Sequence, residues 1–208
     1  MSLFVTVEGI EGSGKSTLVR SLSAALRRAG HDVLVTHEPG DTPLGQSIRE
    51  ILLEATADPP TPMTELLLYL ADRNQHVERV IRPALAEQTL VLCDRFSDST
   101  IAYQGHGRGL DLEMVGMLDR HARDALDPDL TLVLDCDPAN GLARARGRSG
   151  TSDRLEGEPL DFHARVRAGF QELAAADPSR YIVLDGSAAA DQVAAAALRA
   201  IETRLAAA

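Results

Sequence analysis

Residues 9 to 17 have the types and spacing of a phosphate-binding loop. They read Gly-Ile-Glu-Gly-Ser-Gly-Lys-Ser-Thr and fit the pattern G-x-x-x-x-G-K-[ST]. In this pattern backbone amides surround the phosphates of a nucleoside triphosphate, the lysine reaches them, and the hydroxyl serves Mg²⁺. Lys15 is the only lysine among 21 basic residues, and a compact ammonium suits such a loop better than the fork of an arginine. The predicted triphosphate-binding residues are Gly9, Ile10, Glu11, Gly12, Ser13, Gly14, Lys15, Ser16 and Thr17.

The segments on either side of the loop predict the strand and helix that such a loop needs. Residues 3–7 are apolar and partly β-branched, which is typical of a buried strand, and residues 16–29 carry apolar side chains at helical spacing. The N-terminus of a helix presents unpaired N–H groups and a positive dipole end to an anion.

Strand and helix signals alternate along the rest of the chain. This order predicts a three-layer α/β/α P-loop NTPase fold with a parallel five-stranded sheet, built as one domain over residues 1–208, with ligands at the carboxyl ends of the strands. Pro83 is expected to bend or divide the long central helix. The predicted strands cover residues 3–7, 33–36, 90–93, 130–134 and 181–184, and the predicted helices cover residues 16–29, 44–55, 63–87, 112–125, 138–145, 161–175 and 191–206.

Composition excludes several classes of protein. A formal net charge of −10 argues against general binding to nucleic acid or an anionic membrane. We find neither an apolar run of membrane-spanning length nor a secretory signal. Cys93 and Cys136 lie in apolar, strand-like runs, so we expect reduced thiols in a cytoplasmic protein.

Two further groups of residues separate a small-molecule kinase from other triphosphate-binding proteins. Asp94 and Arg95 end a predicted strand, where the carboxylate could hold Mg²⁺ and the guanidinium a phosphate, although a surface ion pair remains an alternative. Four arginines surround the polar segment 147–157 and suggest a lid over about residues 144–157, unless they form a solvated basic helix end. These arginines are Arg144, Arg146, Arg148 and Arg154. The N-K-x-D motif of guanine-specific GTPases is excluded, because it needs a second lysine.

The chain resembles the thymidylate kinase family along nearly its whole length. The similarity lies in the phosphate loop with its flanking strand, in Glu-Pro-Gly at 38–40, in Leu-Leu-Leu-Tyr-Leu-Ala-Asp-Arg at 66–73, in residues 94–104, and in Asp-Arg-Leu-Glu at 153–156. Glu11 is followed by Gly12, with arginines in the lid segment. This combination resembles the bacterial variant, in which a lid arginine replaces one in the loop.

The resemblance implies roles in binding dTMP. Glu11 would accept a hydrogen bond from the 3′-hydroxyl, and Arg95 would hold the phosphate. Tyr69 would stack on thymine, Arg73 would bind its O4, and Tyr103 would crowd C2′ of the sugar. The implied substrate-binding set is Glu11, Glu38, Tyr69, Arg73, Arg95, Ser99, Tyr103 and Gln104.

The resemblance also implies the reaction, transfer of the γ-phosphoryl group of ATP to dTMP in the synthesis of dTTP. Mg²⁺ would be held by Ser16 and Asp94, Arg154 would add to the ATP site, and a homodimer is expected. Two alternatives remain: another pyrimidine nucleotide or deoxynucleoside kinase, and an ATP-dependent regulatory module. The catalytic set would be Lys15, Arg95, Arg144, Arg146 and Arg148.

Two positions depart from the family pattern near the expected acceptor phosphate. His37 stands where arginine is common, and Asp41 where glycine is common. The arginine that the family pattern places near that phosphate is therefore absent, and Arg49 is the alternative basic contact.

Overall fold

Five parallel strands form the sheet in the computed structural model, which describes residues 2–147 and 154–207. Their spatial order is β2-β3-β1-β4-β5. The predicted parallel five-stranded sheet is therefore confirmed, and the observed strands begin and end within one residue of the predicted bounds. The strands are β1 (Leu3–Glu8), β2 (Val33–His37), β3 (Leu90–Asp94), β4 (Leu130–Asp135) and β5 (Tyr181–Asp185).

Helices connect consecutive strands and cover both faces of the sheet. None of the helices in the described residues is both long and apolar enough to cross a bilayer. The helices are α1 (Lys15–Arg28), α2 (Pro43–Leu53), α3 (Pro62–His76), α4 (Arg82–Ala86), α5 (Ser97–Thr100), α6 (Leu112–Ala122), α7 (Pro138–Arg146), α8 (Leu160–Ala176) and α9 (Ala190–Ala207).

The sheet is buried on both faces because side chains from each strand alternate between two cores. Val5 and Val7 of β1 pack with residues of α1 and α9 on one face. Phe4 points to the other face, where its ring meets Phe96 edge-on at 5.0 Å between centroids. Val133 of β4 contributes on this second face to a cluster with α8. This two-sided burial explains why the strands are nearly continuous apolar runs.

The long predicted central helix is divided, as Pro83 suggested, but the irregular part is several residues long and precedes the proline. A π-helical segment, Val77–Ile81, joins α3 to α4, and Pro83 lies in the first turn of α4. Proline lacks a backbone N–H and cannot donate the usual helical hydrogen bond. The wider π-helical turn lies just before the position where that bond is lost. A second π-helical segment, Ile101–Gly107, continues α5, and neither π segment was predicted from the sequence.

The strand order directs functional residues to one edge of the sheet. The central strand β1 has β3 on one side and β4 on the other. Since all strands run in the same direction, the loop after β1 and the end of β3 at Asp94 lie side by side. This edge is where ligands bind in open α/β sheets.

Candidate active site

The phosphate loop joins β1 to α1 and is shaped by its glycines. Gly9, Gly12 and Gly14 have φ values of 139°, 67° and 106°, a region that side chains disfavour. The Lys15 ammonium lies inside the loop, where Nζ donates to the carbonyl oxygens of Gly9 at 2.9 Å and Ile10 at 2.8 Å. Burial and the charge of Arg95 lower the pKa of Lys15 to about 8. The loop is therefore a formed cradle with a cation at its centre, which fits polyphosphate.

Gly12 makes the closest backbone approach in this region. A Cβ atom at Gly12 would lie 1.9 Å from the carbonyl oxygen of Gly141 on α7, and a Cβ atom at Gly141 would lie 2.5 Å from the carbonyl oxygen of Glu11. The side chain of Asp137 caps this helix by accepting from the amides of Ala139 and Asn140. The loop and α7 thus dock backbone to backbone, with no space for a side chain at position 12.

Ser16 and Asp94 form a pair of oxygen groups at the entrance of the loop. Ser16 Oγ donates to Asp94 Oδ2 at 3.0 Å. The described residues contain no cluster of three or more His, Cys, Asp or Glu side chains arranged for a metal ion. Mg²⁺ bound to a nucleotide keeps several waters and takes only one or two protein ligands, so this hydroxyl and carboxylate fit such an ion.

A cavity of about 630 Å³ opens from the loop toward α3 and unites most of the predicted site. Its wall includes the loop, the ends of β2 and β3, the α3 helix and the second π segment. Sequence positions more than a hundred residues apart, such as Glu11 and Arg144, therefore face the same space. The predicted residues that line it are Glu11, Gly12, Gly14, Lys15, Ser16, Thr17, Glu38, Tyr69, Arg73, Asp94, Arg95, Ser99, Tyr103, Gln104 and Arg144.

Arg95 and Glu11 connect the phosphate loop to the rest of the cavity. Arg95 Nη2 lies 3.0 Å from Glu11 Oε1, and Arg95 Nη1 donates to Ser99 Oγ at 3.2 Å. The Tyr103 hydroxyl also donates to Glu11 Oε1, at 2.6 Å. Burial opposes ionisation of Glu11, but His163, Arg95 and other groups outweigh it and hold the pKa of this carboxyl below its usual range. Glu11 is therefore a carboxylate that already accepts hydrogen bonds at Oε1 from Arg95 and Tyr103.

Arg73 is much more buried than a nucleobase contact on a helix surface would be. Its side chain is 2 % exposed, and it pairs with Glu38 at 2.8 Å and Asp119 at 2.6 Å. Its Nη1 also donates to Thr100 Oγ1 at 2.7 Å. Arg73 nevertheless lines the cavity beside Tyr69, four residues earlier on α3. A rigid, fully charged group thus faces the cavity, held by partners behind it.

Glu38 differs from the other predicted substrate-binding residues. Its two carboxylate oxygens are taken by Arg73 and by His76 Nδ1, the latter at 2.9 Å. These contacts fix the direction of the Arg73 guanidinium. Gln104 is similarly held from behind, because its amide donates to Glu65 at 2.8 Å.

The predicted lid arginines lie in different environments. Arg144 lines the cavity while its Nη1 donates to the carbonyl oxygen of Gly186 at 2.9 Å. Arg146 is exposed at the end of α7 and is absent from the cavity wall. Arg148 lies outside the described residues. The structure does not bring Arg154 to the phosphate loop: it donates to the carbonyl oxygen of Leu52 at 3.0 Å and to Glu65 at 2.5 Å.

The two positions that depart from the family pattern interact with each other. His37 Nδ1 lies 3.2 Å from Asp41 Oδ1, and His37 lines the cavity. Arg49 also lines the cavity and donates to the carbonyl oxygen of Pro39 at 2.7 Å. A basic side chain is therefore available on this wall, as considered from the sequence.

Sequence reasoning missed three buried polar residues near the site. Glu8 ends β1 and accepts from the Phe96 amide at 2.7 Å and from Ser99 Oγ at 2.6 Å. Burial and the nearby Asp98 raise the pKa of Glu8 to about 8. The other two are Glu65 on α3 and His163 on α8. For Glu8 the sequence offered one signal, a carboxylate directly before the first glycine of the loop. For His163 it offered no signal.

Comparisons with known proteins agree with this geometry. The model of the family described as Thymidylate kinase matches residues 7–197. The chain belongs to the thymidylate kinase family. It is 48% identical over 209 residues to the thymidylate kinase of Trichlorobacter lovleyi, covering 98% of this chain and 99% of that protein. It is 51% identical over 192 residues to that of Geobacter sulfurreducens, covering 90% of each chain.

A solved structure supports the same membership. The crystal structure of thymidylate kinase from Ehrlichia chaffeensis aligns with a TM-score of 0.78 and 33% identity, covering 96% of this chain and 98% of that one. Family membership confirms the predicted fold and the predicted activity, ATP:dTMP phosphotransfer in nucleotide biosynthesis.

Proposed function

We propose that the family's reaction, transfer of the γ-phosphoryl group of ATP to dTMP, takes place in the 630 Å³ cavity, with Arg95 and Glu11 between the two substrates. The observation that carries this proposal is that one cavity contains both the triphosphate cradle around Lys15 and the side chains Tyr69 and Arg73. ATP phosphates would occupy the loop, and the thymine would lie against α3. The acceptor phosphate would then meet the γ-phosphate near Arg95.

The chemistry needs alignment and charge neutralisation more than a base. A phosphate oxygen of dTMP is already anionic, so it attacks the γ-phosphorus as the bond from that phosphorus to the β-bridging oxygen breaks. Lys15 and the loop amides would neutralise the β- and γ-phosphates, and Arg95 would bring the acceptor into line. Mg²⁺, held by Ser16 and Asp94 when ATP binds, would supply further neutralisation of the phosphates.

Selectivity for dTMP would come from side chains held rigidly by their neighbours. Tyr69 would stack on the base, and Arg73 would donate to its O4 because Glu38 and Asp119 fix the guanidinium. Glu11 would accept from the 3′-hydroxyl, and Tyr103 would limit space at C2′. Ser99 and Gln104 would complete the pocket wall.

The arginines of α7 and the segment after it would complete the phosphate site. Arg144 lines the cavity, which supports its role at the transferring group. Arg146, Arg148 and Arg154 stay proposed catalytic or ATP-binding residues. Arg154 would have to leave Glu65 and Leu52 to reach the phosphate loop.

The experiment that tests the proposed function is an ADP-release assay over a panel of acceptors. The panel contains dTMP, dUMP, thymidine, ribothymidine monophosphate and no acceptor. We expect ADP release that depends on dTMP and is weaker with each of the others. Equal ATP consumption with and without an acceptor would instead favour the regulatory module, and a preference for thymidine would favour a nucleoside kinase.

We also infer that the chain forms a homodimer through α2, α3 and α6. The helix α3 packs against both α2 and α6. Large apolar side chains remain exposed on these three helices, and their spacing of four or seven residues places those of α2 on one face and those of α3 on another single face. These side chains are Leu44, Ile51, Met63, Leu67, Leu112 and Met117.

The cysteines support a location in the cytoplasm, which we propose for this enzyme. Cys93 and Cys136 are both free and buried. Thiols persist in this form in reducing compartments. The single sheet likewise supports our proposal that one domain carries the activity.

A further inference from the structure

Three buried polar atoms without a hydrogen-bond partner lie together beside the phosphate loop. They are Glu11 Oε2 and the two ring nitrogens of His163. His163 Nδ1 lies 3.2 Å from Glu11 Oε2, which is ion-pair distance without hydrogen-bond alignment. Unpaired polar atoms are rare in protein interiors and often mark functional sites. Apart from its effect on the pKa of Glu11, the site described above gives His163 no role.

His163 reaches Glu11 from helix α8. It lies in the first turn of α8, is fully buried, and meets the Phe162 ring edge-on at 5.4 Å between centroids. Glu11 Oε1 is held from the opposite side by Arg95 and Tyr103. The carboxylate is therefore approached by donors at one oxygen and by an imidazole at the other.

We propose that His163 is a positioning residue for Glu11, which donates from Nδ1 to Oε2 and thereby orients the carboxylate toward the sugar hydroxyl of the acceptor nucleotide. The inference rests on the proposed function, in which Glu11 accepts from the 3′-hydroxyl of dTMP. Because Oε2 is buried, His163 would hold it from behind, and the sugar hydroxyl would approach the carboxylate at Oε1. The 3.2 Å between Nδ1 and Oε2 is within hydrogen-bond reach if the imidazole turns Nδ1–H toward Oε2.

The orientation of Glu11 matters because its other partners leave the carboxylate free to rotate about Oε1. Arg95 and Tyr103 both act on Oε1, so together they fix one oxygen atom and not the plane of the carboxylate. A donor at Oε2 defines that plane. His163 would thus connect α8 to the acceptor site without touching a substrate.

The test compares two acceptors in four enzymes. The acceptors are dTMP and 3′-deoxythymidine monophosphate, which lacks the hydroxyl. The enzymes are the native chain, Glu11→Gln, His163→Phe and His163→Asn. Phenylalanine keeps an aromatic ring without donors, and the asparagine amide nitrogen lies near the position of Nδ1. Each kcat and KM is measured at saturating ATP, with a thermal melt to verify folding.

We expect the native enzyme to prefer dTMP in kcat/KM by roughly tenfold or more, the size of a hydrogen bond to a charged group. Glu11→Gln should reduce this preference strongly. His163→Phe should reduce it by several-fold, while His163→Asn should keep most of it. If His163→Phe melts too early to assay, His163→Gln, whose amide nitrogen lies near Nε2, replaces it.

The outcomes separate the inference from the proposed function. A native preference that Glu11→Gln abolishes and His163→Phe retains would overturn the role of His163 and leave that of Glu11 intact. The absence of any native preference would reject the contact between Glu11 and the hydroxyl, and the inference with it. Equal loss of turnover on both acceptors in His163→Phe, with no recovery in His163→Asn, would show a packing role only.

Discussion

Single residues in this site combine burial with charge, and Lys15 is the clearest case. Lys15 is 8% exposed as a residue, and its ammonium donates to two loop carbonyls. The interior disfavours that charge, as its lowered pKa shows. A polyphosphate in the loop would raise the pKa of Lys15 again, because it would place negative charge at hydrogen-bond distance from the ammonium. The cradle is thus more stable with its ligand than without it.

Replacing Lys15 by alanine should remove activity and spare the fold. We expect kcat/KM to fall by roughly 10²- to 10³-fold or more, the scale of losing one fixed donor to developing charge. Turnover of ATP and dTMP checks this, with circular dichroism and a thermal melt to verify folding. Arg28→Ala, at the C-terminal end of the same helix, is the control and should behave as the native enzyme. Near-native kinetics in Lys15→Ala would remove this lysine from the mechanism.

Glu8 gives a prediction about pH. Its pKa rises from 4.5 in an unfolded chain to about 8 in the fold, because of burial and Asp98. Between these values the folded state retains a proton that the unfolded state has lost, so the free energy of unfolding falls as pH rises through this window. In Glu8→Gln this contribution should disappear.

Urea unfolding of both proteins near pH 5 and near pH 8 measures the effect. We expect the free energy of unfolding of the native chain to decrease relative to Glu8→Gln as pH rises. Parallel curves for the two proteins would show that Glu8 binds its proton equally in both states.

At the scale of elements, Glu65 joins four parts of the chain. This carboxylate on α3 is fully buried and pairs with Arg108 at 3.0 Å and Arg154 at 2.5 Å. It also accepts from Gln104 of the second π segment. Arg154 is tied in turn to the end of α2 through the carbonyl oxygen of Leu52. One side chain therefore holds the acceptor pocket and the segment after residue 153 together.

Glu65→Ala should destabilise the protein strongly, because it removes the buried carboxylate that two arginines and an amide donate to. Removal of one partner from a buried ion pair typically costs about 3–5 kcal/mol. Glu158→Ala is the matched control, since Glu158 pairs with the same Arg108 at a more exposed position and should cost less than about 1 kcal/mol. Denaturant unfolding measures both. Equal losses in the two variants would contradict a central role for Glu65.

Elements whose signal is local were predictable from the sequence. The strands followed from short apolar, β-branched runs, and the phosphate loop from nine consecutive residues. Tyr69 and Arg73 could be placed on one face of a helix because their spacing is local. The π-helical segments were missed, because the amino-acid types in a segment such as the one around Tyr103 do not distinguish a π-helix from an α-helix.

Contacts between distant parts of the chain could not be predicted. The partners of Arg73 lie 35 and 46 residues away, and those contacts explain why this arginine is buried and not exposed. His163 and Glu11 belong to different elements at opposite ends of the sequence. The packing of α8 against β4 and the second π segment brings these two side chains together.

For the whole molecule, the exposed apolar surface of α2 and α3 has consequences for assembly. Ile51 is 53% exposed and Leu67 is 52% exposed, on two helices that pack against each other. Helix α3 also carries Tyr69 and Arg73. A subunit interface on these helices would therefore support the wall of the acceptor pocket from behind.

Leu67→Glu should convert the proposed dimer to a monomer, because a carboxylate would then be buried in an apolar interface. Light scattering coupled to size-exclusion chromatography measures the mass. Leu160→Glu is the control, since Leu160 is 51% exposed at the start of α8, away from these helices, and should leave the mass unchanged. A native chain that elutes as a monomer at assay concentrations would reject the interface.

The contact between Gly12 and Gly141 limits how this enzyme can be redesigned. An arginine cannot be transplanted into the loop at position 12 by one substitution, because the carbonyl oxygen of Gly141 occupies the space of its first side-chain atom. Helix α7 would first have to move outward, and Arg144, which α7 carries, would move with it. Any evolutionary exchange between the two placements of the arginine must therefore remodel a helix and a loop together.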